Sequence, residues 1–132
     1  MNNIDQLAQM LLNTWARTSL GELRVKAERE ATGIAFESVR ADRGQRFMLV
    51  LCATDIDQIA LLERAFNFVD DGVTEDWNTV TLAHLAMRLM RNGGGLRFES
   101  LKDEFGRRSA LALIAADPNS IRIIEGIFKM PP

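Results

Sequence analysis

Sliding the sequence along itself by 62 positions brings two long segments into register without a gap, and this repeat constrains the fold more than any other feature of the chain. Ile34-Ala35-Phe36-Glu37-Ser38-Val39-Arg40 falls on Leu96-Arg97-Phe98-Glu99-Ser100-Leu101-Lys102. The match runs on through Gly44 and Gly106, Arg46 and Arg108, Leu49 and Leu111, Leu51 and Leu113, Asp55 and Asp117, Ile59 and Ile121, Glu63 and Glu125, and Phe66 and Phe128. Upstream it thins, although Trp15 still falls on Trp77, Leu20 on Leu82 and Leu23 on Leu85.

Each copy spells a β-hairpin followed by a helix. Gly44 and Gly106 stand where a tight turn needs positive φ, and a turn around Arg43-Gly44 sets Phe36 opposite Leu51 and Ser38 opposite Leu49. Asp55 and Asp117 are placed to cap the helix that follows, with Pro118 at a favoured first position. Ile59, Leu61, Leu62, Ala65 and Phe66, and in the second copy Ile121, Ile123, Ile124, Ile127 and Phe128, give both helices an apolar stripe.

Ahead of the second hairpin, the spacing predicts a helix from Trp77 to Met90, capped by Thr74 or Asp76 and stopped by Asn92-Gly93-Gly94-Gly95. In the first copy Ile4, Leu7, Ala8, Leu11, Leu12 and Trp15 predict another. Glu22 to Glu28 alternates polar and apolar residues, as a half-buried strand does; the competing reading, by analogy with the second copy, is a helix continuing through Glu30. The expected order is α-βββ-α-α-ββ-α, an α+β fold with about four helices and a mainly antiparallel sheet of four or five strands. The expectation is one domain over 1–132, with halves at about 1–66 and 67–132.

Composition bears on the class of protein. With 47% hydrophobic and 26% charged residues, the chain has the makings of an ordinary core. Cys52 is the one cysteine, so an intramolecular disulfide is excluded. No apolar run approaches the roughly 18 residues of a membrane span, and Met1 to Asp5 carries no basic lead-in to an apolar stretch. A cytoplasmic location is therefore expected.

The hairpins are apolar on both sides. Phe36, Leu49 and Leu51 share one face, while Val39, Met48, Val50 and Cys52 share the other; Leu101, Ala110, Ala112 and Ile114 repeat this second set. If the helices fail to cover both faces, a second polypeptide covers the remainder, which makes Val39, Met48, Val50, Leu101 and Ile114 candidate partner-binding residues. Met87, Met90 and Met130 suit either an adaptable surface or a core.

Catalytic chemistry finds little support. His84 is the only histidine, and no metal-ligand spacing surrounds it. Gly93-Gly94-Gly95 follows a helix, where phosphate-binding loops precede one. Ser38 and Ser100 have no histidine in their own unit. Glu37 and Glu99 recur and would form an acid/base pair only if a twofold axis brought them together; Arg29 and Arg91 recur with them and suggest ion pairing instead. No metal, cofactor or catalytic residue is assigned. Arg40, Arg43 and Arg46, with Lys102, Arg107 and Arg108, make the hairpin ends basic and able to meet phosphates. Asp42, Asp103 and Glu104 are interleaved, with Asp103 facing Arg108 and Glu104 facing Arg107, and the net charge of −2 gives no global attraction to nucleic acid.

The element order resembles that of the small acidic chaperones of type III secretion: helix, three strands, helix, two strands, helix. The resemblance lies in layout, and the Trp77 to Met90 helix is additional to it. It implies a dimer that binds other proteins. The expected function is a non-enzymatic protein-binding module acting as adaptor, chaperone or inhibitor, with a homodimer expected; the alternative is a nucleic-acid-binding regulator using the paired basic hairpins.

Overall fold

Two hydroxyl side chains one repeat apart start equivalent helices. Ser19 Oγ accepts a hydrogen bond from Glu22 N at 3.1 Å, and Thr81 Oγ1 accepts one from His84 N at 3.1 Å. In this computed structural model, which describes residues 14–41, 43–67, 76–91, 93 and 95–131, they open α1 (Leu20–Arg29) and α3 (Leu82–Arg91). Glu22 to Glu28 is therefore helix and not strand. Leu20, Leu23 and Ala27 are buried at helical spacing while Val25 is exposed, and Ser19 with Glu22 three residues on has the spacing of a capping box. The helix expected from Trp77 begins later, at Leu82. Trp77 is buried within a turn, where Asn78 N donates to Asp76 Oδ1 at 3.0 Å. Thr74 lies outside the described residues, as does the helix expected from Ile4 to Trp15 except for Trp15 itself, which is buried at the start of a short 3-10 turn, Trp15–Arg17.

The hairpins are β1 (Ile34–Arg40) with β2 (Arg46–Ala53), and β3 (Leu96–Lys102) with β4 (Arg108–Ala115). Phe36 pairs with Leu51 and Ser38 with Leu49, as the turn geometry required. Gly44 and Gly106 hold φ of +89° and +79° at the turns. The four strands form one antiparallel sheet in the order β1-β2-β4-β3. After each hairpin comes a helix, α2 (Ile56–Ala65) and α4 (Pro118–Ile127). Asp117 caps α4 through Ser120 N, whereas Asp55 occupies the cap position of α2 without a side-chain bond to it.

Every strand and helix of the second half repeats the bounds of its counterpart at a spacing of 62. Leu51 pairs with Leu113 across β2 and β4, and Ser19 bridges Thr81. Each of these residues meets its own equivalent, so a pseudo-twofold axis passes through both pairs.

The helices divide between the faces. α1 and α3 lie over Ala35, Val39, Met48, Val50, Cys52, Ala110, Ala112 and Ile114. α2 and α4 lie over Leu49, Leu51, Ala53, Leu111, Leu113 and Ala115. On the first face, α1 rests on its own hairpin, while on the second α2 packs against β4 and α4 against β2, so each helix crosses to the opposite hairpin. No helix among the described residues is long and apolar enough to cross a membrane.

Gly33 joins α1 to β1 at φ +74°, and a Cβ there would stand 2.5 Å from Asp55 Cβ; Gly44 has nothing within 4 Å. Gly44→Ala should cost about 1 kcal/mol through backbone strain alone. Gly33→Ala adds a clash with the Asp55 segment and should cost at least about 3 kcal/mol. Urea unfolding midpoints of the two variants check the order, and equal losses would refute it.

Candidate functional site

The residues expected to meet a partner are in the core. Val39, Met48, Val50 and Ile114 are 0–2% exposed beneath α1 and α3, and Leu101 packs half-buried at the margin of the same cluster. They present no docking surface. An exposed sheet face was expected from too few helices, but the α1 segment supplies the coverage that a third strand would have lacked.

The basic hairpin ends divide into engaged and peripheral side chains. In each hairpin the register slips by one residue, so that Val39 pairs with Met48 but Arg40 with Arg46, and Leu101 pairs with Ala110 but Lys102 with Arg108. Phe47 and Ser109 are the extra residues. By simple alternation Arg46 would share the α1 face with Met48 and Val50; the bulge turns it, and Arg108 with it, to the opposite face.

There the two arginines form crossed ion pairs. Arg46 pairs with Glu125 of α4 and also donates to Ser38 Oγ at 3.0 Å and to the Pro131 carbonyl at 2.6 Å. Arg108 pairs with Glu63 of α2 at 3.2 Å. Each arginine also sits over an aromatic ring, Phe36 or Phe98. Arg46 and Arg108 are thus fastened to helices and not offered to phosphate, and the expected Asp103–Arg108 pair gives way to Glu63. At the tips, Arg40 donates to the Gly44 carbonyl, while Arg107 lies 3.8 Å from Asp103. Arg43 and Lys102 are exposed. Because β2 and β4 run antiparallel, the two tips stand at opposite ends of the sheet.

The recurrent carboxylates are kept apart. Glu37 lies on β1 and Glu99 on β3, the two edge strands, so three strand spacings separate them by at least about 14 Å. Glu37 has Lys26 at 3.6 Å and Glu99 has Arg88 at 3.4 Å, the two cations one repeat apart, with Arg97 also 3.7 Å from Glu99, where Arg29 and Arg91 were the expected partners. These charges blunt both sheet edges against further strand pairing. Ser38 is held by Arg46, and His84 is exposed on α3. Among the described residues no group of three or more His, Cys, Asp or Glu could hold a metal ion.

A cleft lies at one end of the sheet. Thr54, Ile56, Ile59, Asp103, Arg107, Arg108 and Ser109 line it. A neighbouring hollow shares Thr54 and Ser109 and is lined also by Glu28, Glu30, Ala31, Gly33 and Asp55. Phe105, on the hairpin tip, lies under the Arg107 guanidinium, 5.4 Å from ring centroid to Cζ. Phe105 is 72% exposed and Ile56 68%, the highest values of any large apolar side chain among the described residues.

At the other end, the equivalent positions of Ile56, Phe105 and Ser109 hold Pro118, Arg43 and Phe47. The sequence had not drawn attention to these three residues. Their signal was there, as positions where an otherwise close repeat fails.

No family model, curated protein or solved structure matches the chain.

Two outcomes follow from these contacts. Glu125→Ala would strand the Arg46 guanidinium, whose side chain is 2% exposed, and should cost about 3 kcal/mol. Glu63 is 43% exposed, so Glu63→Ala should cost under about 1 kcal/mol; denaturant titration of both variants compares them. Burial pushes the Cys52 thiol from 9.0 up to about 12, against a smaller lowering by Arg24. Iodoacetamide at neutral pH should leave the native thiol unmodified and alkylate it only on unfolding. The thiol's contribution to stability is complete below pH 9.0 and is lost as pH rises toward 12, because the unfolded chain deprotonates first.

Proposed function

We propose that the chain is a cytoplasmic protein-binding module with no catalysis of its own, an adaptor, small chaperone or inhibitor that docks its partner at the Ser109 end of the sheet. One observation carries this reading: Ile56, one of the two most exposed large apolar side chains, lines a cleft with Asp103 and Arg107, and the other, Phe105, stands between those two residues in the hairpin tip, under the Arg107 guanidinium. Such side chains scattered singly mean little, but two of them beside a concavity with a polar rim match the anatomy of a docking surface.

The nucleic-acid reading has less behind it. At this tip Lys102 and Arg107 are balanced by Asp103 and Glu104, and Arg108 is tied to α2. Electrostatic attraction of a phosphate backbone requires a surplus of positive charge that this end lacks.

Site-specific photo-crosslinking of the full chain in cells tests the proposal. A benzophenone side chain at Ile56 or Phe105 should yield discrete protein adducts, while the same group at Arg64, exposed on α2, should yield none. Nuclease-sensitive adducts would favour the nucleic-acid reading, and no adduct at either position would reject the docking role of this end.

A further inference from the structure

Equivalent elements on the two sides of the pseudo-twofold axis carry different charge. Leaving aside Arg40 and Lys102 at the hairpin tips, α1 and β1 carry Arg24, Lys26 and Arg29 against Glu22, Glu28 and Glu37, an even balance. α3 and β3 carry Arg88, Arg91 and Arg97 against Glu99 alone. Arg97 stands where the first copy has Ala35, and His84, Ala86 and Met90 stand where it has Glu22, Arg24 and Glu28. Both pairs of elements cover the same core cluster, so its packing does not demand the surplus of cations on one side.

The surplus is gathered around one carboxylate. Arg97 precedes Glu99 by two residues and so shares its face of β3. Its Nε lies 3.7 Å from Glu99 Oε1, and Arg88 reaches the same oxygen at 3.4 Å, which leaves two guanidiniums to one acid. The Arg97 Nε is buried and makes no hydrogen bond, an unfavourable state for a donor. Beside them on α3, Met87 and Met90 are 42% and 56% exposed, and Arg91 is exposed on the last turn. Cations in a last turn complement the helix dipole, and Arg88 and Arg91 repeat Lys26 and Arg29, so these two have a reason within the fold. Arg97 and Met90 have no such counterpart.

We infer that this α3–β3 side is a second docking surface, for an acidic amphipathic segment of another protein. The segment's carboxylates meet Arg97 and Arg91, and its apolar side chains lie on Met87 and Met90. A carboxylate is the acceptor that the Arg97 Nε lacks, and guanidinium matches it in a two-point geometry. Flexible thioethers suit an apolar partner of varied shape. A long polyanion such as nucleic acid offers nothing to the methionines and is repelled by the chain's net charge of −2. A lipid surface would need the apolar stripe of α3, but Leu82, Leu85, Ala86 and Leu89 are buried in the core. This surface is separate from the Ser109 end and does not rest on the reading given for it.

The test is selection of peptides from a phage-displayed random library on the purified full chain, followed by fluorescence anisotropy with a synthetic copy of the enriched sequence. Enriched peptides should carry Asp or Glu at helical spacing with Leu, Met or Phe, and their binding should weaken as salt rises. Arg97→Ala and Met90→Glu each put the first copy's residue into the second, so the fold should hold, which an unchanged urea midpoint checks. Each should weaken peptide binding at least about tenfold. Phe105→Asp should leave it unchanged. Enrichment of no peptide, or of basic or uncharged ones, overturns the inference, as does binding indifferent to Arg97→Ala and Met90→Glu. Tighter binding of a DNA duplex or of phosphatidylserine vesicles, lost with Arg97→Ala but kept with Met90→Glu, assigns the surface to phosphate and also overturns it. A peptide lost with Phe105→Asp alone binds at the Ser109 end, which overturns this inference and leaves the docking role of that end standing.

Discussion

β2 and β4 run side by side through the middle of the molecule, and the Leu51–Leu113 pair between them sits on the axis relating the two halves. Both strands are apolar on both faces, so neither can be left against water without a large loss of buried area. Everything else is arranged around covering that central ribbon. Helices must lie above and below it, and the flanking strands β1 and β3 become the edges. The backbone bridge of Ser19 to Thr81 ties the α1 and α3 starts together on the same axis.

The two faces are covered by different means. α1 packs against its own hairpin, whereas α2 and α4 cross the axis to lie on the other half's inner strand. The crossing is fastened by Arg46 with Glu125 and Arg108 with Glu63, which reach one another only because a bulge in each hairpin turns the arginine to that face. A buried guanidinium needs its partners, and Arg46 has a carboxylate, a hydroxyl and a carbonyl. The bulges therefore serve the joining of the halves.

Where the internal symmetry holds, the residues serve the fold. Glu37 and Glu99 hold cations at the two edges, and the repeated arginines hold helices. Where it fails, at Ile56, Phe105 and Ser109 against Pro118, Arg43 and Phe47, one end acquires exposed apolar side chains beside a cleft that the packing of the core does not require. That contrast is why the proposed docking end lies at the broken positions rather than at the repeated ones.

Much of the hairpin geometry was legible in the order of residues, since side-chain alternation and the glycines at the turns act between neighbours in the chain. Phe36 opposite Leu51 and the stripes of α2 and α4 follow from such local rules. The segment from Glu22 to Glu28 misled because Leu23, Val25 and Ala27 fit a period of two as well as Leu20, Leu23 and Ala27 fit a helix; the Ser19 cap resolves the choice. Glu63, Glu125, Arg46 and Arg108 could be seen to recur, but not that each would pair across the axis, because alternation places the arginines on the wrong face and only the bulges correct it. The repeated units, their turns and their apolar faces follow from the order of residues, being set by contacts a few residues long. That helices cover both faces, that they exchange on one of them, and that Ile56 lines a cleft with Asp103 and Arg107 of the β3–β4 tip came from the tertiary fold, because these depend on the β2–β4 pairing between residues some 62 apart.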